Sequence, residues 1–192
     1  LMSGEEVLKD DGKPYTVYTP YSKKWKKFAN QHTYAKYPSE DQDNFLKNCD
    51  CNLPSLHSMG FEKADVDFPS RTVRDDLLAN YHKTRDLPAM RGTSRLGVHL
   101  RFGTISVRAL ARRAKELNDT FLGELIWRDF YQMILHHFPY VAEAAFREKY
   151  ERIEWLNDED QFDRWKEGKT GYPLVDAGMR ELLKTGYMHN RV

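Results

Sequence analysis

From Asp119 to Phe138 the chain has no proline and a single glycine, Gly123. Its apolar residues recur at helical spacing, with Leu122, Ile126, Phe130 and Met133 on one side. The spacing predicts a helix starting near Asp119 or Thr120 and ending about His137, where Pro139 stops it. Any fold for this chain must bury that one face of a long helix. Glu124, Trp127, Arg128 and Tyr131 form a second stripe, on the other side, which this burial does not require. A carboxylate, a guanidinium and two rings with polar handles can stack on a flat ring, hydrogen-bond its edge and hold a phosphate. A half-exposed face with an i,i+4 ion pair explains the same residues.

The remaining segments also read as helices and turns. Pro20 and Ser22 open a helix over 23–30, with Trp25 and Phe28 docked and the KKWKK lysines solvated. Residues 31–69 are polar and broken by Pro38, Pro54 and Pro69, which predicts a long surface connection. Ser70 caps a helix to Tyr81 or His82 with Val73, Leu77 and Leu78 inward. Arg91 to Gly97 packs two hydroxyls, two arginines and two glycines into a turn. That turn suits a phosphate cradle as well as an ordinary helix cap. Ser106 caps a basic helix over 107–117. A short amphipathic piece covers 139–150. Asn157 or Asp158 caps a helix to Glu167 with Phe162 and Trp165 inward, and Pro173 opens one that stops before Gly186. No stretch reads as a buried parallel strand, so the class is mainly α.

Charge is nearly balanced at +1 but unevenly placed. Residues 80–115 hold nine Lys/Arg and one acid, Asp86, whereas 141–167 hold nine acids and five Lys/Arg. This pattern predicts one face turned to a polyanion. The two cysteines, Cys49 and Cys51, form a lone CxC pair, insufficient for a closed zinc site, and no metal is expected. The GKTG at 168–171 lacks the upstream glycine of a phosphate-binding P-loop and follows a helix, so that reading is rejected. No apolar run approaches membrane-span length and no signal peptide is visible, so a cytoplasmic monomer is expected. Leu1 at the start, and Val192 directly after a dense motif, give the expectation that both ends are cut.

Five segments taken together, RDLPAMRGTSRL at 85–96, RFGTIS at 101–106, ELIWRDFY at 124–131, WKEGKTGYPLVDAGMREL at 165–182 and GYMHNR at 186–191, resemble the photolyase/cryptochrome flavoproteins in order and spacing. The resemblance is nearest to the class I cyclobutane pyrimidine dimer photolyases and covers about residues 5–192. It implies part of a helical FAD-binding domain at 70–192. Residues 1–69 would be the end of an N-terminal domain, which holds an antenna pigment, and the interdomain connection. Tight FAD binding by this stretch alone, and activity from it alone, are not expected.

Carried over by position, Tyr81, Thr93, Ser94, Arg95, Leu96, Gly97 and Phe121 match cofactor-binding positions. Gly97 stands where serine is frequent and Phe121 where some relatives have Trp. Arg85, Glu124, Trp127, Arg128, Tyr131, Asn190 and Arg191 match DNA- and lesion-facing positions. Glu124, Trp127 and Asn190 form the catalytic set, and Trp155 is similar to the surface member of the flavin-photoreducing tryptophan chain. The implied reaction is light-driven splitting of pyrimidine dimers in DNA by an electron from reduced FAD, the dimer first being flipped out of the duplex. The Glu124, Trp127 and Asn190 combination favours dimer repair over a signalling cryptochrome. A non-catalytic helical nucleic-acid-binding module is the reading from another class.

Overall fold

A computed structural model describes residues 1–29, 33–44 and 52–192. The CxC pair, Cys49 and Cys51, lies outside the described residues, as does the predicted end of the first helix at Asn30. The described residues contain helices and turns and no strand. The helices are α1 (Tyr18–Phe28), α2 (Asp75–Ala79), α3 (Tyr81–Thr84), α4 (Gly97–Phe102), α5 (Val107–Leu117), α6 (Asp119–His137), α7 (Glu159–Lys166) and α8 (Pro173–Thr185).

The long helix α6 is the centre, with α1, α3 and α5 packed around it. Leu122, Ile126, Phe130 and Met133 are buried as expected, together with Phe121, Leu125 and Asp129. A single extended residue, Asn118, separates α5 from α6. Its side-chain oxygen accepts from the N–H groups of Thr120 and Phe121 (3.0 and 3.2 Å), capping α6. Its amide nitrogen donates to the Ala79 carbonyl at 2.9 Å, fixing α2 against the corner.

α1 begins earlier than predicted, because Pro20 sits in its first turn, where a missing N–H costs nothing. Trp25 is fully buried and its indole donates to Asp129 at 3.0 Å. The same carboxylate accepts from the nitrogens of Leu1 and Met2. One buried acid thus pins two N-terminal segments to α6, and Val7, Tyr21 and Trp25 join the core that α5 and α6 form. Phe28, expected to dock, is instead half exposed beneath the Lys24 ammonium.

Three further expectations are corrected. The helix expected from Ser70 starts at Asp75 and is interrupted at Asn80; the Ser70 hydroxyl caps a local turn through the Thr72 N–H. The 139–150 piece is short 3-10 turns at Pro139–Ala142 and Glu148–Arg152. In α7 no residue is buried, and Phe162 stacks on Trp165 at the surface. The Ser106 and Asp158 caps, the Pro173 start and the Gly186 stop stand as predicted.

Part of the basic block, the four cations of α5, is turned on the protein itself. Arg112 donates to the carbonyls of Tyr34 and Ala35, and Arg113 to the Val73 carbonyl and the Asp75 carboxylate. Lys115 lies over the Tyr34 ring and Arg108 over Tyr37. These residues of α5 hold neighbouring segments in place, which leaves Lys83, Arg85, Arg91, Arg95 and Arg101 of the block for the polyanion-facing surface that charge counting predicted.

Candidate cofactor cleft and lesion-facing surface

The RGTSRLG turn owes its shape to two residues. A Cβ on Gly92 would lie 2.6 Å from the Cβ of Thr84, so only glycine lets the turn pass against α3. Arg95 takes a left-handed backbone (φ 52°), an uncommon state for any residue but glycine. Its guanidinium is held by the Glu181 carboxylate at 2.6 Å and lies 4.4 Å from the Tyr187 ring centre. Thr93 and Tyr187 share a hydroxyl hydrogen bond of 2.8 Å. The turn is therefore closed on one side by α8 and the residues just after it.

Between them lies a cleft of about 200 Å³ lined by Tyr81, Thr93, Ser94, Arg95, Leu96, Gly97, Tyr187, Met188 and Asn190. Six of the seven residues predicted to bind cofactor are thus together. The seventh, Phe121, is buried behind Tyr81, edge to face at 5.0 Å, and does not line the cleft. Burial, then the nearby Glu124 carboxylate, pushes the Tyr81 phenol up to about 12, so it stays a donor at neutral pH. A Cβ at Gly97 would meet nothing within 4 Å, so a serine would fit there. Hydroxyls, an arginine and backbone N–H groups suit a phosphate-bearing ligand. The volume is below the roughly 300–1,000 Å³ of ordinary small-molecule pockets, so the cleft by itself encloses only part of a ligand as large as a dinucleotide. A neighbouring cavity of about 550 Å³, bounded by 65–69 and the end of α8, shares Arg95 and Tyr187 with it.

The second stripe of α6 does not form its own i,i+4 ion pair. Glu124 accepts from Arg85 across the fold, while Arg128 donates to Gln132 at 3.2 Å. Arg85 also reaches Asp86 at 3.3 Å, and Asp86 accepts from the Nε and Nη2 of Arg191, both at 2.6 Å. The Arg191 hydrogen bond, over a smaller opposing effect of burial, holds the Asp86 carboxyl below its ordinary value. Glu124, Arg85 and Arg191, far apart in sequence, become one chain of alternating charge. Asp86 completes that chain and was missed; as the only acid of the basic block, it was legible as an exception. Asn190, next to Arg191, lines the cleft, so the cofactor and lesion-facing sets meet there.

Trp127 is half buried and flanked by rings. Tyr18 lies parallel to it at 3.5 Å and 5°, Tyr131 is offset at 5.5 Å and 23°, and Phe130 meets it edge-on. Tyr131 is exposed. Trp155 is 71% exposed and borders a separate groove toward α7, away from the other residues of the predicted sites. His189 is buried; its Nδ1 accepts from the Arg191 N–H and fixes the turn that presents Asn190 and Arg191.

Residues 121–192 match the family model described as the FAD binding domain of DNA photolyase. The chain is 35% identical to a deoxyribodipyrimidine photo-lyase of Alkalihalophilus pseudofirmus, over 100% of this chain and 44% of that protein. It is 36% identical to the one of Thermus thermophilus, over 100% of this chain and 46% of that protein. A class III photolyase of Agrobacterium tumefaciens, solved by crystallography, superposes with a TM-score of 0.73 at 26% identity, covering 99% of this chain and 44% of that one. The chain therefore spans less than half the length of these relatives.

Proposed function

Because the chain belongs to the DNA photolyase/cryptochrome family, we propose that it is part of an enzyme that splits cyclobutane pyrimidine dimers in DNA under light. The observation that carries this is the position of Asn190 and Arg191. Asn190 lines the TSRLG cleft, and Arg191 is ion-paired into the chain that reaches Glu124. In this reading residues 70–192 are part of the helical FAD-binding domain. Residues 1–69 are the end of a preceding, pigment-bearing domain and its connection.

Thr93, Ser94, Arg95 and the backbone at Leu96 and Gly97 would hold the phosphates of FAD, with Tyr81 beside them. When bound and reduced, the flavin supplies the electron that opens the dimer after blue-light absorption. The chain's own residues bind and orient the flipped lesion. Trp127 stacks on a pyrimidine, a contact worth about 1–3 kcal/mol per base. Glu124 and Asn190 hydrogen-bond the polar edge of the dimer. Arg85, Arg128 and Arg191 take flanking phosphates, with Tyr131 beside them, an affinity that weakens with salt. Trp155, at the surface, would receive electrons from reductant when oxidised flavin is photoreduced.

The direct test is dimer repair by the full-length gene product under blue light and in darkness; repair equal in both refutes the reading. For Trp127→Ala we expect dimer-containing DNA to bind about tenfold or more weaker, while undamaged DNA changes little. Equal losses on both DNAs would remove Trp127 from the lesion site.

A further inference from the structure

Tyr18 belongs to α1, more than a hundred residues before the helix that carries the lesion-facing stripe, and no family motif quoted above includes it. Its ring nonetheless covers a face of Trp127, with centroids 3.5 Å apart and planes 5° from parallel. Its hydroxyl donates to the Gly123 carbonyl at 2.9 Å. That carbonyl is the one to which helical geometry directs the N–H of Trp127, four residues on. Tyr18 is thus tied both to the indole ring and to the turn of backbone that carries it. It also meets Phe130 edge-on at 5.9 Å, so the ring cannot slide off without breaking a second contact. Burial, then the Glu124 carboxylate, pushes its phenol up to about 12, so the hydroxyl remains a donor at any working pH.

A tryptophan on a half-exposed helix face has several rotamers open to it, and a ligand that needs one of them must select it at a cost in affinity. Here the selection is made in advance by a residue from another segment. We propose that Tyr18 is a positioning residue for lesion recognition: by stacking on Trp127, with Tyr131 offset beside the same ring, it fixes the indole plane against which the flipped pyrimidine is held. This inference rests on Trp127 being the stacking wall of the lesion site. Tyr18 itself touches no substrate in this arrangement. Its effect is on discrimination between damaged and undamaged DNA, because only the flipped base uses the indole.

The test compares the full-length wild-type protein with Tyr18→Ala, Tyr18→Leu, Tyr18→Phe, Trp127→Ala and the Tyr18→Ala/Trp127→Ala double variant. Dissociation constants are measured for one duplex with a single thymine dimer and for the same duplex undamaged, at one salt concentration. Tyr18→Ala and Tyr18→Leu are expected to lower the ratio of the two constants about fivefold, a typical worth of one aromatic pair, with binding to undamaged DNA unchanged. Tyr18→Phe keeps the ring and is expected to retain most of the ratio. The double variant is expected to lose no more than Trp127→Ala alone. Tyr18→Leu conserves apolar bulk and serves where Tyr18→Ala fails to fold. The proposal is overturned if the ratio stays within about twofold of wild type in the folded Ala or Leu variant, a change too small for a lost stacking pair. It is also overturned if Phe loses as much as Ala, or if the losses in the double variant multiply. If Trp127→Ala itself leaves the ratio unchanged, the lesion-wall reading fails and takes this inference with it. If Trp127→Ala lowers the ratio and the Tyr18 variants do not, only the Tyr18 role fails.

Discussion

Asp86 accepts from two arginines that the proposed function assigns to DNA phosphates. A phosphate approaching Arg85 or Arg191 competes with this carboxylate and is repelled by it. Asp86→Asn is therefore expected to tighten binding of undamaged DNA by about two- to fivefold at low salt, the gain shrinking as salt screens the charge. Filter binding over a salt series checks this, with Asp75→Asn, which removes an exposed acid paired to Arg113 elsewhere, as the control. Asp176 makes a different use of its charge. Its buried carboxylate accepts from the hydroxyl and N–H of Thr170 and from the N–H of Gly171, folding the GKTG loop onto the start of α8. The Thr170 hydroxyl is the main cause holding its carboxyl below the ordinary value; burial opposes, and the two N–H groups and Arg180 add to the lowering. A depressed folded value contributes stability that is complete above the ordinary carboxylate range and lost as pH falls through the folded value. Asp176→Asn should lower the melting temperature at neutral pH, with the gap to wild type narrowing as pH falls below the ordinary carboxylate range and the wild-type carboxyl takes up its proton. A gap that stays constant as pH falls through and below that range contradicts this account.

At the scale of elements, α1 is bound to α6 through the rings of Tyr18 and Tyr21 and through Trp25, which donates to Asp129 in the core. Asp129 is 2% exposed and its partners include the nitrogens of Leu1 and Met2. Asp129→Ala strands these donors in an apolar interior and is expected to cost about 2–4 kcal/mol in urea unfolding. Lys26 also joins the two helices, through Asp119, but at the surface. Lys26→Met should cost under about 1 kcal/mol in the same measurement. Periodicity located α6 well, because its apolar stripe is long enough to average out single exceptions. It placed Asp129 on neither stripe's argument, because a buried acid is a fact about its partners, and those lie more than a hundred residues away. Short elements fared worse. The Ser70 helix failed because Ser70 and Thr72 satisfy each other and the chain stays extended to Arg74. In α7 the aromatic spacing was read correctly as a face, but Phe162 and Trp165 stay about half exposed and stack on each other instead of entering the core.

Across the whole molecule, the cleft and the proposed lesion-facing surface lie where α3, the 92–97 turn, α6 and the residues after α8 converge. Trp155 stands apart from that convergence, highly exposed at the edge of another groove. A residue so placed suits exchange of electrons with solution and not contact with the lesion. Trp155→Phe in the full-length protein is therefore expected to slow photoreduction of oxidised flavin. Repair by chemically pre-reduced enzyme should be unchanged. Loss of repair under those conditions would assign Trp155 another role. The charge count was coarse at this scale: Arg112 and Arg113 of α5 bind carbonyls and an acid of other segments, a use that linear spacing does not reveal, while Arg85 and Arg95 of the same block stand at the candidate sites.

By itself the sequence determined the mainly helical class, the long central helix with its two stripes, and most of its caps. These follow from local rules, since helix period, caps and stops act within four or five residues; the candidate site residues came instead from the resemblance of five segments to a known family. The tertiary structure alone decided which of those residues meet. It paired Glu124 with Arg85 in place of Arg128, linked both to Arg191 through Asp86, set Phe121 behind Tyr81, and laid Tyr18 on Trp127. Ion pairs and ring stacks depend on distances of a few ångströms between segments that the chain separates widely. Only the packing of α1, α3 and the end of α8 around α6 brings them within that reach.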